Sequence, residues 1–136
     1  MAGERIDTEG TEHGGELEPE RLAEMLESGE VDLIDVRRQH EWDAGHIPGA
    51  RRVEVNDLPA EAKKLDRDHP VVLYCRSGSR SELAADALSD GDFDAHALAG
   101  GISAWAEQGR QLVPEDGYVA ESGEAAAVIE ARHRNT

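Results

Sequence analysis

Short apolar runs alternate with helix-like segments along the middle of this chain, and that alternation restricts the fold more than any other feature. The runs Val31 to Val36 and Val71 to Tyr74 have the length and branched composition of buried strands. The surrounding pattern predicts weaker strands over 51–55 and 94–98 and helices over 19–29, 57–65, 79–88 and 101–109. Strands that alternate with helices form a mostly parallel sheet with helices on both faces, so the sequence predicts an α/β fold.

The pattern covers one domain of ordinary size. The chain has 136 residues, of which 38% are hydrophobic, and this is enough for a single modest core. We expect a disordered acidic leader over 1–15, the folded domain over 16–113, and a C-terminal extension over 114–136 with a short helix over 124–134. The core should be aliphatic, with Trp42 and Trp105 as its large members and with four inward residues on the third helix, Leu83, Ala84, Ala87 and Leu88.

The charge of the chain is strongly negative. Thirty acidic residues against 14 basic ones give a net charge of −16, which would repel nucleic acid and anionic lipid alike. Only Lys63 and Lys64 are lysines, and such an acidic surface with so little lysine is typical of proteins from salt-loving organisms. No apolar run approaches the roughly 20 residues of a membrane helix, and the acidic N-terminus is unlike a signal peptide, so we expect a soluble cytoplasmic protein.

Cys75 is the only cysteine, which excludes an internal disulfide, a paired-cysteine redox motif and a multi-thiolate zinc site. It ends the most apolar predicted strand and begins the polar loop Cys75-Arg76-Ser77-Gly78-Ser79-Arg80, ahead of a predicted helix. In an open α/β sheet, ligands bind at this carboxyl end of the strands. Loop N–H groups, the helix dipole and two arginines would all favour a thiolate there. A free cysteine is more often a small buried core residue, but the polar residues that follow Cys75 favour a reactive role.

Four segments of the chain together carry a resemblance to a known family. In chain order they are Leu33 to Arg37 with Glu41, Gly45 to Ala50, VVLYCRSGSRS around Cys75, and Leu98 to Gly101 followed by Trp105. They resemble the rhodanese-like sulfurtransferases, whose active-site segment VVLYCRSGSRS matches. The resemblance covers about residues 16 to 110. It implies a single-domain rhodanese-like fold.

The resemblance also implies a mechanism and a set of site residues. Cys75 would take sulfur from a donor such as thiosulfate or a protein persulfide, and would pass it to cyanide, a thiol or a sulfur-carrier protein. Asp35 and Arg37 would position the loop, while His46, in a turn, receives no catalytic role. No metal or other cofactor is implied. The loop residues that would hold the substrate are Arg76, Ser77, Gly78, Ser79, Arg80 and Ser81.

Two other functions stay open at this point. A cysteine phosphatase or arsenate reductase also holds an anion on loop amides, but it requires an arginine six positions after the cysteine. Ser81 occupies that position and Arg80 comes one residue early. A rhodanese fold can also serve as a non-enzymatic interaction module or a sulfur relay between proteins, because a fold alone does not determine function.

Overall fold

The computed structural model describes residues 16–120. The predicted leader over 1–15 and the predicted helix over 124–134 lie outside the described residues.

Five strands form one sheet in which each pair of neighbours is parallel, in the order β1-β5-β4-β2-β3. Asp35 on β2 is level with Tyr74 on β4, so these two strands end at the same edge of the sheet. The α/β fold predicted from the alternating pattern is therefore confirmed. The strands are β1 Glu16–Leu17, β2 Asp32–Asp35, β3 Arg51–Arg52, β4 Val71–Tyr74 and β5 Ala95–Leu98.

Within residues 16–120, four α-helices connect the strands and a fifth follows the last strand. The first has Pro19 in its first turn and ends at Gly29, whose φ of 78° is the left-handed conformation that glycine adopts easily. A 3-10 turn, Val55–Asp57, precedes the third helix and takes up part of the predicted 57–65 segment. The second helix was not predicted. The helices are α1 Pro19–Ser28, α2 Gln39–Ala44, α3 Leu58–Ala62, α4 Ser79–Asp90 and α5 Gly101–Glu107.

The sheet separates two apolar clusters, one on each face. Alternate residues of β4 contribute to opposite clusters, with Leu73 on the side of α3 and α4 and Val72 on the side of α1 and α5. Both faces of the central strand are fully buried. The helices therefore lie on both faces of the sheet, as predicted, and the carboxyl ends of the strands are left for a site.

Two predictions about the core were wrong. Leu83 on α4 is 74% exposed and Ala87 is also exposed, because the buried stripe of that helix runs through Ala84, Ala85 and Leu88. Trp42 is only half buried, and its ring stacks on His46 with 3.5 Å between ring centroids. Trp105 is buried as expected.

The chain continues to pack on the domain beyond residue 113. His46 and Val113 form an isolated antiparallel bridge, and the Tyr118 N–H donates to the Ala44 carbonyl over 3.0 Å. Ala120 is buried. Residues 112–120 therefore form a wall beside α5 and the end of α2. Within residues 16–120, no helix is both long and apolar enough to cross a membrane.

Candidate active site

Cys75 lies at the carboxyl end of β4, which has β5 and β2 as its neighbours in the sheet. The chain leaves the strand at this residue and enters α4 four residues later, at Ser79. The first turn of α5 supports the loop from behind, because Ile102 N–H donates to the Cys75 carbonyl over 2.9 Å and Ser103 N–H donates to the Arg76 carbonyl over 3.0 Å. Two elements thus fix the backbone on either side of the thiol.

The Cys75 sulfur lies on the floor of this loop, where the residue is only 1% exposed. Gly78 N–H donates to Sγ over 3.1 Å, and the Ser81 hydroxyl is 3.5 Å from Sγ. Burial, the largest single influence on the pKa of Cys75, acts to raise it. The Ser81 hydroxyl and the N–H groups of Ser81, Gly78 and Arg80 together outweigh burial and lower the pKa. The site therefore favours the thiolate, which is the nucleophilic form.

The two loop arginines have different surroundings. Arg80 Nη2 is 3.4 Å from Oε2 of Glu41, a fully buried carboxylate whose other oxygen accepts from Arg38 N–H over 3.0 Å. Arg76 has no hydrogen bond or ion pair from its side chain to any residue between 16 and 120, and its Nε is buried. Arg80 is held by a neighbour, whereas Arg76 is available to a ligand.

Asp35 and Arg37 form a fully buried ion pair, with 2.7 Å between Arg37 Nη2 and Asp35 Oδ2. The same Nη2 donates to the Gly45 carbonyl over 2.8 Å, and the guanidinium lies 5.5 Å from the centroid of the Tyr74 ring. The Tyr74 hydroxyl accepts from Ile47 N–H over 3.0 Å. Burial and the charge of Asp35 raise the pKa of Tyr74 well above its ordinary value, so this hydroxyl stays protonated. The pair fixes the end of β4, directly before Cys75.

The other residues singled out in the sequence are two serines of the loop and His46. The Ser77 side chain is exposed. The Ser81 hydroxyl lies 3.0 Å from the Gly78 carbonyl and 3.5 Å from the Cys75 sulfur, so its one proton has two acceptors and can be donated to the sulfur when the thiol ionises. The helix that begins at Ser79 brings Ser81 and the N–H groups of its first turn to the sulfur. His46 Nδ1 lies 3.0 Å from the Trp42 carbonyl, which is a local contact in the turn after α2. No group of three or more metal-ligating side chains occurs within residues 16–120.

Gly101 is a site residue whose role the sequence did not reveal. Its φ of +62° is in the left-handed region, and a Cβ there would lie 2.5 Å from the Arg76 carbonyl oxygen and 2.6 Å from that of Cys75. Real Cβ atoms essentially never approach backbone so closely. Only glycine allows α5 to pack this tightly against the loop. The pair Gly100-Gly101 in the fourth matching segment is the sequence signal.

Replacing Gly101 by alanine should therefore displace the loop. We expect Gly101→Ala to lower the free energy of unfolding by about 2–4 kcal/mol, combining left-handed strain with a backbone clash. Gly29→Ala is the matched control, since Gly29 also has a left-handed φ, of +78°, but nothing lies within 4 Å of the added Cβ. Its cost should be about 1 kcal/mol. Urea unfolding compares the two variants, and equal losses would contradict this role.

Comparison with known proteins agrees with this architecture. The profile of the Rhodanese-like domain family matches residues 18–108. A thiosulfate sulfurtransferase, GlpE, from Shewanella oneidensis is 35% identical over 92 residues, which cover 67% of this chain and 91% of that protein. A rhodanese-related protein from Thermoplasma volcanium superposes with a TM-score of 0.67 at 27% identity, covering 73% of this chain and 97% of its own.

A longer relative matches over only part of its length. The probable adenylyltransferase/sulfurtransferase MoeZ of Mycobacterium tuberculosis is 43% identical over 100 residues, which are 70% of this chain and 25% of that protein. The chain thus spans a quarter of that relative. Because the family profile matches more than half of the chain, this protein belongs to the Rhodanese-like domain family.

Proposed function

We propose that the protein is a sulfurtransferase that carries sulfur as a persulfide on Cys75. The observation that carries the proposal is the thiol itself, which lies on a loop whose hydrogen-bond donors lower its pKa. The thiolate attacks the outer sulfur of thiosulfate. A new S–S bond forms on Cys75, the S–S bond of thiosulfate breaks, and sulfite leaves with the bonding electron pair. The donors that stabilise the thiolate also stabilise the persulfide anion.

The loop residues have distinct parts in this proposal. Arg76 contacts the anionic donor, because its guanidinium has no partner among residues 16–120. Arg80 is paired with Glu41, so it adds positive potential and fixes the first turn of α4. Gly78 and Ser81 contact the sulfur, and in this proposal Ser77 and Ser79 complete the loop around it, although the side chain of Ser79 lies outside the described part of the structure. Asp35 and Arg37 act as positioning residues through Tyr74.

The acceptor completes the cycle by attacking the outer sulfur of the persulfide and releasing Cys75 as a thiolate. Cyanide, a thiol or a sulfur-carrier protein has the required nucleophile. The chain contains no second cysteine, so the acceptor must come from outside it. The name of the longer relative, which joins adenylyltransferase and sulfurtransferase, supports a protein acceptor as one form of this transfer.

A phosphatase or arsenate reductase fits the site less well. Clamping phosphoryl oxygens requires a free arginine at the end of the loop, and Ser81 stands there. Arg80, one residue earlier, already contacts a buried carboxylate. A non-enzymatic module would have no need of a thiol with a lowered pKa.

The pH dependence of sulfur uptake tests the proposed nucleophile. In a single turnover with thiosulfate, which remains a dianion near neutral pH, the rate of sulfite release should rise as the pH passes through the pKa of Cys75. Because that pKa is lowered, the midpoint should lie below the value of a free thiol, about 8.5. Ser81→Ala removes a hydrogen bond to the thiolate and should shift the midpoint upward.

Addition of cyanide should then give thiocyanate in the same amount as sulfite. Release of phosphate from an aryl phosphate, without any sulfite from thiosulfate, would contradict the proposal. An unchanged midpoint in Ser81→Ala would contradict the role given to the Ser81 hydroxyl.

A further inference from the structure

A groove of about 930 Å³ runs from the active-site loop along α5, and we call it the α5 groove. Arg76, the residue that follows Cys75 in the loop, lines it together with Ser103 on α5, and Glu107 lines it at the end of that helix. Its other wall is the segment from Gly109 to Val119. Thiosulfate has five heavy atoms and cyanide has two, so neither fills more than a small part of this volume.

Hydrogen bonds to the rest of the domain hold the wall of the groove in place. Trp105 Nε1–H donates to the Gln111 carbonyl over 2.8 Å, and Val113 N–H donates to the His46 carbonyl over 2.8 Å. Eight of the twelve lining residues come after residue 108, where the match to the family profile ends. The groove therefore depends on a segment that the family profile does not cover.

Four charged side chains, two of each sign, line the groove. They are Arg76, Arg110, Glu107 and Glu115, and none of the four forms an ion pair within residues 16–120. The Arg110 guanidinium is held 5.5 Å from the centroid of the Trp105 ring, and its Nε donates to the Gln108 side chain over 2.9 Å. A protein with a net charge of −16 repels simple anions in general, but two cations and two carboxylates here balance each other.

We propose that the α5 groove binds the sulfur acceptor, and that this acceptor is a zwitterionic, peptide-sized thiol. Its carboxylates face Arg76 and Arg110, and its ammonium group faces Glu107 or Glu115. The thiolate of the bound peptide attacks the outer sulfur of the Cys75 persulfide. The new S–S bond forms on the peptide, the S–S bond to Cys75 breaks, and Cys75 leaves as a thiolate. This inference rests on the proposed function, since it needs a persulfide on Cys75.

Steady-state sulfite release from thiosulfate, with glutathione or uncharged 2-mercaptoethanol as acceptor, tests the inference. In the wild type, kcat/KM should be higher for glutathione. The measured quantity is kcat/KM for glutathione divided by kcat/KM for 2-mercaptoethanol. Arg110→Gln and Glu107→Gln should each lower this ratio about fivefold, because each should raise KM for glutathione. Glu24→Gln, which changes an exposed ion pair on α1, is the control and should keep the wild-type ratio.

The outcomes separate this inference from the proposed function. If wild-type protein forms thiocyanate from thiosulfate and cyanide but the glutathione ratio is the same in all variants, the acceptor site is wrong and the sulfurtransferase stands. If wild-type protein forms no thiocyanate and releases no sulfite, both proposals are wrong. Circular dichroism of each variant excludes a folding defect as the cause.

Discussion

Cys75→Ser should lower the rate of sulfite release from thiosulfate by at least about a thousandfold. A serine hydroxyl is not ionised near neutral pH, and its oxygen cannot hold a persulfide. The substitution is nearly isosteric, and the serine oxygen can accept from the same N–H groups that face the sulfur, so the fold should remain. Single-turnover sulfite release measures the loss.

A substitution far from the active-site loop provides the control for this experiment. Ser28→Ala removes an exposed hydroxyl at the end of α1 that donates to the Met25 carbonyl and accepts from Glu30 N–H, and it should keep the wild-type rate. If Cys75→Ser released sulfite at the wild-type rate, the nucleophile assigned here would be wrong.

Asp35→Ala should have the largest effect on stability, about 3–5 kcal/mol. It leaves the fully buried Arg37 guanidinium without its counter-charge and also removes the carboxylate that accepts from Arg37 N–H over 2.9 Å. Urea unfolding measures the change. Asp35→Asn preserves the shape and removes the charge, so it gives a measurable value if the alanine variant does not fold.

The exposed pair of Arg52 and Glu54, 3.2 Å apart, provides the comparison. Glu54→Ala should cost less than about 1 kcal/mol, because water and salt screen a surface pair. Equal losses in Asp35→Ala and Glu54→Ala would show that the Asp35–Arg37 pair does not brace the end of β4.

The sequence predicted those elements of the fold that are determined by residues close together in the chain. Val71 to Tyr74 is apolar and branched, so it specifies a buried strand, and the polar loop after it leaves the thiol at the strand end. The helix after Pro19 has a proline near its start and a glycine at its end. In each case a few neighbouring residues carry the information.

The parts that were missed depend on contacts between distant residues. Arg80 and Glu41 are 39 positions apart, and nothing near either residue indicates that they pair. The exposure of Leu83 follows from the rotation of α4 on the sheet, which a four-residue spacing does not define. The ring of half-buried Trp42 stacks on the His46 ring, in a turn whose shape the sequence does not specify.

The α5 groove is missing from the sequence prediction for the same reason. Its outer wall comes from residues after Gly109, where the apolar pattern lapses and no helix or strand is indicated. Hydrogen bonds to Ala44 and His46, far earlier in the chain, place that segment.

The most direct test of the central claim is the mass of the intact protein after incubation with thiosulfate and removal of the excess. The incubation is done in molar salt, which screens the net charge of −16. A persulfide on Cys75 predicts a gain of one sulfur atom, which cyanide removes as thiocyanate and which is absent in Cys75→Ser. A wild-type mass that stays unchanged, or the same gain in Cys75→Ser, would contradict the account.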